Sequence, residues 1–239
     1  RARARCQLGE IAAGTDDVRT YLALAPNRNR TNHAVDERFA LGKLLRHLAQ
    51  QLAGDSSRQV LSRAANELQA SLSFGTPNAD KWEQFGAVQD LLGQTTAAIA
   101  SYTCGLDVSP GNIRLLNLRG WAHVKQNELE LARQDFGSAI QLDSANSEAF
   151  AGRGFALAKL GHSNEAARDA SFAALNGADN RLVMHNVACV FGSLASGDEP
   201  RVSEDLAIAA LNRAAALSKR NANVTNANAR SMLRAETSF

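Results

Sequence analysis

The sequence predicts an all-α chain of antiparallel helix hairpins stacked one after another, and three observations carry that prediction. Gly86, Gly120 and Gly154 are evenly spaced along the chain. Ala98, Ala132 and Ala166 follow them at one constant offset, and Tyr102, Phe136 and Ala170 stand four positions beyond each alanine. The third observation is composition: 45% hydrophobic but only 5% aromatic, with 4 prolines in 239 residues, suits helices packed closely through small side chains and offers little to strands. A fixed period of roughly 20 to 50 residues marks a repeat architecture that grows along one axis.

The same frame places Trp82, Leu116 and Phe150 four positions before each glycine, and Pro110, Ser144 and Ala178 at the repeat ends. Three consecutive units, 79–112, 113–146 and 147–180, therefore tile without an insertion. Glycine and alanine fall where two antiparallel helices press together, while the large residues fall at helical spacing on the buried stripes. Leu92-Gly93, Gln126-Asn127 and Leu160-Gly161 share one repeat position. Gly or Asn just past a helix end takes up the left-handed cap at little cost, so these dipeptides mark the turns.

This pattern resembles the tetratricopeptide repeat (TPR) family. Trp, two residues, Leu-Gly, two residues, Tyr, then Ala, three residues, Phe, and later Pro is matched best by Trp82-Glu83-Gln84-Phe85-Gly86, Ala98, Tyr102 and Pro110. The resemblance implies a right-handed superhelical α-solenoid, with the first helix of each hairpin lining an inner groove and the second forming the back. It also implies a chain that holds a partner protein or peptide in that groove.

The flanks are less regular. Residues 1–28 fit a partial repeat, with Leu8-Gly9 and Leu22-Ala23-Leu24-Ala25-Pro26 at matching slots. Residues 29–78 read as an irregular hairpin with an overlong first helix near 34–53, a second near 56–73, and Pro77 at the end. Residues 181–218 form a TPR-like unit with Ala188 in the glycine slot, while Ala207 and Leu211 arrive later than the strict period allows. Ala195–Arg201, carrying Gly197, Asp198 and Pro200, is then an inserted loop, and Ser203 is expected to cap the following helix. Residues 219–239 are expected to be partly helical. A chain that opens inside a helix and closes on Ser231-Met232-Leu233-Arg234 without a polar capping helix is expected to be a fragment, since solenoids need sealed ends. The Val-Ala-Cys-Val phrase and the long loop of the last unit resemble the ends of bacterial TPR arrays attached to signalling or catalytic domains.

Charge argues against several function classes. With 26 basic and 24 acidic side chains the formal charge is +2, which demands neither a nucleic acid nor an anionic membrane, despite the local clusters Arg1, Arg3, Arg5 and Arg28-Asn29-Arg30. Cys6, Cys104 and Cys189 are odd in number and far apart, so no disulfide framework or zinc pattern is legible and a reducing compartment, the cytoplasm, is expected. No run approaches the roughly 18 apolar residues of a membrane-spanning helix.

Two arginine slots stand out. Arg119 and Arg153 replace the usual apolar side chain, and Asp135 and Asp169 follow them at one shared offset, whereas the remaining regular unit has Phe85 and Ser101 at those slots. Arginine and aspartate thus occur together or not at all. A partly buried bidentate pair within the hairpin is expected, ahead of a ligand-gripping role.

In the TPR family the inner groove is lined by repeat positions 2, 5, 9, 12 and 13, which here are Asp80, Glu83, Ala87, Asp90 and Leu91 in one unit. The next units supply Arg114, Asn117, Trp121, Val124 and Lys125, then Glu148, Ala151, Phe155, Ala158 and Lys159, then Leu182, His185, Cys189, Gly192 and Ser193. The resemblance thus makes Arg114, Asn117, Trp121, Lys125, Glu148, Phe155, Lys159 and His185 the candidate partner-binding residues. Trp121 and Phe155 are the natural anchors, with ordinary core packing the competing reading. The lysine and asparagine set by which some members clamp a C-terminal carboxylate is not reproduced, because position 2 of the third unit is Glu148.

His185 and Cys189 share a helix face, but two ligands are too few for a metal site, and a buried Cys is usually an apolar filler. No His-Glu-x-x-His, Gly-x-Ser-x-Gly or phosphate-binding loop is present, so no catalytic residue, cofactor or metal is expected. The function expected is a protein-interaction scaffold; a regulatory or docking segment of a larger multidomain enzyme, or self-association through the array ends, are the alternatives.

Overall fold

A computed structural model describes residues 33–74, 76, 78–195 and 202–219, together with Asp16 and Thr20. The expected partial repeat at 1–28, most of the inserted loop and the 220–239 segment lie outside the described residues. The described residues are helical, with connecting turns and no strand among them. The chain divides into two compact units, 1–126 and 127–239, and the boundary falls in the Gln126-Asn127 turn.

In unit 1, α1 (His33–Ala49), α2 (Gly54–Phe74), α3 (Ala79–Leu91), α4 (Thr95–Val108) and α5 (Ile113–Lys125) pack in chain order, and α3 also touches α1 and α5. The α1–α2 hairpin is closed by Leu41, Leu45, Leu48, Val60, Ala64 and Leu68, joined by Val88 from α3. The first helix of that hairpin is shorter than the sequence reading of 34–53. Bonds from Gln51 N to Leu48 O (3.0 Å) and Leu52 N to Ala49 O (3.1 Å) tighten its last turn, and Gly54 then takes φ 60°. The long helix of this hairpin is the second, at 21 residues.

Close approach explains the glycine slots. A Cβ at Gly86 would lie 2.5 Å from the Tyr102 ring, which is 1% exposed. Lys81 is buried at a slot that is apolar in the other units, because its Nζ reaches the carbonyls of Ser71 (3.4 Å) and Thr76 (3.3 Å) near the end of α2.

In unit 2, α6 (Leu129–Leu142), α7 (Ser147–Lys159), α8 (Ser163–Asn176) and α9 (Arg181–Leu194) are followed by α10 over 202–219. Helices α6 to α9 pack in order, and α7 also lies against α9. A Cβ at Gly152 on α7 would lie 2.5 Å from the Phe136 ring of α6, so the absent side chain is what lets that fully buried ring fit. One apolar cluster runs from Ala166 and Ala170 of α8 through Val183, Val187, Val190 and Phe191 of α9 to Ala207, Ala210 and Ala214 of α10. Helix α10 begins at 202, so Ser203 lies in its first turn and not at the expected cap.

Each regular first helix starts on an asparagine whose side chain accepts from a backbone N–H. Asn78 caps at Lys81 (2.8 Å), Asn112 at Leu115 (3.1 Å), Asn146 at Ala149 (2.9 Å) and Asn180 at Leu182 (2.9 Å). The oxygen satisfies an otherwise orphaned donor, worth about 1 kcal/mol per helix. At the opposite end, Gly93, Asn127 and Gly161 take φ of 79°, 59° and 87°, the left-handed turn expected at all three sites.

Candidate first-helix binding faces

In unit 1 the wall residues of α3 and α5 are joined by two ion pairs. Arg114 Nε lies 2.7 Å from Glu83 Oε1, and Lys125 Nζ donates to Asp90 Oδ2 at 2.5 Å. Arg114, Asn117, Trp121 and Lys125 fall on one face of α5 by helical spacing, so Asn117 and Trp121 lie between the two bridges. A third pair, Lys43 to Asp80 at 3.8 Å, links α1 to α3. Asn117 is only 5% exposed, Trp121 is half-buried, and Arg114 and Lys125 are exposed. The Oδ1 atoms of Asn117 and Asp90 are buried and have no hydrogen-bond partner among the described residues. Burial pushes the Tyr102 phenol above its ordinary pKa, and the nearby carboxylates of Asp90 and Glu83 push the same way.

In unit 2 the corresponding face has a different chemistry. Lys159 Nζ sits over the Phe155 ring, 5.6 Å from its centroid. On α9, Cys189 Sγ lies 3.8 Å from His185 Nε2. Burial raises the Cys189 thiol's pKa, and the Lys159 ammonium opposes that shift. Phe155 and Glu148 are half-buried, while Lys159 and His185 are exposed. No group of three metal-ligating side chains occurs among the described residues.

The expected arginine–aspartate pair is present within unit 2. Arg153 Nε donates to Asp169 Oδ2 at 2.7 Å and its Nη2 to Oδ1 at 2.9 Å. These bonds to Asp169 hold the guanidinium above its ordinary pKa, although burial works against the charge. The Arg153 guanidinium also lies 5.3 Å from the Phe150 ring centroid. In unit 1, Arg119 donates to Thr103 Oγ1 at 3.2 Å; Asp135 belongs to unit 2, where it is buried. At the slots holding Phe85 and Ser101, Ser101 Oγ donates instead to Gln89 at 2.6 Å.

Sequence reasoning picked Arg114 and Lys125 as partner contacts but missed that Glu83 and Asp90 engage them. The signal was present: opposite charges stand at positions 2 and 5, and at 13 and 12, of neighbouring units. Among the described residues no helix is long and apolar enough to cross a membrane.

No protein-family model and no curated protein sequence matches the chain. Solved structures do. One of MamA is 14% identical and aligns with TM-score 0.54 over 70% of this chain and 94% of that one. MamA from Desulfovibrio magneticus RS-1 is also 14% identical, with TM-score 0.54 over 75% and 96%. YrrB, a TPR protein with an unusual peptide-binding site, is 18% identical with TM-score 0.51 over 80% and 90%. With the evenly spaced repeat and the hairpins above, these likenesses establish that the chain has the helical-repeat fold of the TPR proteins.

Proposed function

We propose that the chain is a protein-interaction scaffold whose first-helix faces hold a peptide segment or partner protein, and that it binds without catalysing a reaction. The observation that carries this reading is a contrast between aromatic side chains. Tyr102 and Phe136, on second helices, are 1% and 0% exposed, whereas Trp121 and Phe155, at one shared position on first helices, stay partly open to solvent beside charged and polar groups. Half-open aromatics ringed by polar side chains are the usual anchors of protein interfaces. Arg114 and Lys125 lie on the same face of α5 as Trp121, Lys159 sits over the Phe155 ring, and Glu148, His185 and the buried Asn117 complete the proposed contact set. YrrB, of the same fold, has a peptide-binding site, which supports binding on this architecture.

The functional modules in this reading are a partial repeat at 1–28, an irregular hairpin at 29–78, regular units at 79–112, 113–146 and 147–180, a looped unit at 181–218 and a C-terminal segment at 219–239. A cytoplasmic location goes with it, and cell fractionation checks that. Affinity capture with the intact chain, repeated with Trp121→Ala and Phe155→Ala variants whose helicity matches the parent by circular dichroism, tests the binding claim. A partner captured by the parent and lost by either variant supports it. Undiminished capture by both removes the first-helix faces from the account.

A further inference from the structure

Helix α10 leaves open a face that earlier second helices bury. Leu211 stands four positions beyond Ala207, as Phe136 does beyond Ala132 and Ala170 beyond Ala166. Phe136 and Ala170 are 0% exposed, and the Phe136 ring lies against Gly152 of the first helix that follows it. Leu211 is 47% exposed, because no helix follows α10 among the described residues. The inner side of α10 is filled by Ala207, Ala210, Ala214 and Leu217. One flank is turned to the chain's own 178–179 turn, where Arg213 donates to the Ala178 carbonyl at 3.0 Å and to Asp179 at 2.6 Å. The opposite flank carries Glu204, Ile208, Leu211, Ala215 and Lys219, all exposed, which helical spacing brings into one stripe.

We propose that two copies of the chain pair through this stripe, their α10 helices antiparallel about a two-fold axis. The order of residues makes the stripe complementary to itself. In an antiparallel pair, residues whose numbers have a constant sum stand opposite each other. Setting Glu204 against Lys219 therefore sets Ile208 against Ala215 and brings the two Leu211 side chains together near the axis. Each end of the contact then holds an opposite-charge pair, a large side chain meets a small one on either side of the centre, and both copies use the same residues, as a two-fold interface requires. A parallel pair would instead set Glu204 beside Glu204 and Lys219 beside Lys219. Neither residue has an ion pair among the described residues, so both charges are open to a partner. A single contact between helices roughly 27 Å long buries less than the roughly 1,200 Å² of a standard interface, so the dimer is weak, with a Kd on the order of 100 µM. The stripe is separate from the first-helix faces, and the proposal stands or falls independently of the scaffold reading.

Sedimentation of the full chain at about 5 to 500 µM, in low salt so that exposed charges are not screened, tests this. A reversible monomer–dimer equilibrium is expected. Leu211→Glu, checked for folding by circular dichroism, is expected to weaken the dimer at least about tenfold, because each dimer loses two apolar side chains from its centre. Glu204→Lys and Lys219→Glu are each expected to weaken it about three- to tenfold, since each sets like charges opposite one another at both ends. The double variant Glu204→Lys with Lys219→Glu is expected to restore the parent's affinity. These charge variants lie on the exposed side of the helix and decide the matter even if Leu211→Glu does not fold. A monomer at every concentration overturns the proposal, as does a dimer indifferent to Leu211→Glu. A double variant no stronger than the singles overturns the antiparallel pairing, and growth beyond the dimer, the mark of head-to-tail stacking, overturns the two-fold contact.

Discussion

Unit 1 and unit 2 use the same hairpin and finish its first-helix face in opposite ways. In unit 1 the face of α3 and α5 is stitched by Arg114–Glu83 and Lys125–Asp90, which leaves it close to neutral. In unit 2 the contact between α7 and α9 is apolar, through Ala151, Leu157, Val183, Val187 and Val190, and the cations on its surface are left to solvent. The fold therefore does not depend on the face charges. It depends on small residues that let a large neighbour in, and the face is where one hairpin can come to differ from the next.

Substitutions can break that comparison, beginning with the core. Phe136→Ala should destabilise unit 2 by about 3–5 kcal/mol, since the ring is fully buried against Gly152 and its loss leaves a cavity. Urea unfolding checks this, and a loss comparable to that of a surface substitution would show the slot to be dispensable. Gly86→Ala in unit 1 and Gly152→Ala in unit 2 should each cost about 1–3 kcal/mol, because the new methyl meets a buried ring at 2.5 Å. Equal costs in the two units would show that each relies on a glycine to seat a buried ring, from the following helix at Gly86 and from the preceding one at Gly152.

The ion pairs sharpen the contrast. Asp169→Asn should cost about 1–3 kcal/mol, because it weakens a bidentate pair whose carboxylate side chain is 9% exposed. Arg114→Ala should cost about 0.5 kcal/mol or less, since that side chain is 67% exposed and its pair is screened by solvent. Both are measured by urea unfolding in low and moderate salt, where only the second should fade.

The smallest effect is alkaline. Tyr102 has a raised pKa in the folded chain, so above about pH 10 the unfolded state loses its phenolic proton first. The folded state then binds more protons than the unfolded one, and stability falls as pH rises towards the folded value. Below pH 10 both states are protonated and the contribution is complete. A Tyr102→Phe variant should lose this alkaline slope; retention of the slope would assign it to another group.

Much of the fold was legible because it rests on spacing. Gly86 and Gly154 mark close approaches whose period survives any choice of surface residues, and Gly93, Asn127 and Gly161 carry the backbone conformation that their types favour. Asn78, Asn112, Asn146 and Asn180 recur at the same repeat spacing and were equally readable as helix caps, yet an asparagine in a polar turn has no single role until its oxygen is seen to meet the N3 amide. The irregular hairpin was harder: nothing apolar distinguishes a first helix ending at Ala49 from one running to 53, and the three-residue bonds at Gln51 and Leu52 decide it. At the candidate site, the Arg153–Asp169 pair followed from co-occurrence within the chain. The burial of Asn117 did not, because repeat position tells which face a residue is on and not how deeply its neighbours cover it.

Hydrogen exchange of the intact chain, free and bound to its captured partner, tests the central claim most directly. Binding on the first-helix faces predicts added protection in α5, α7 and α9 with α4, α6 and α8 unchanged, and its loss in the Trp121→Ala or Phe155→Ala variant. Protection concentrated in α4, α6 and α8, or a pattern unmoved by either variant, would contradict it.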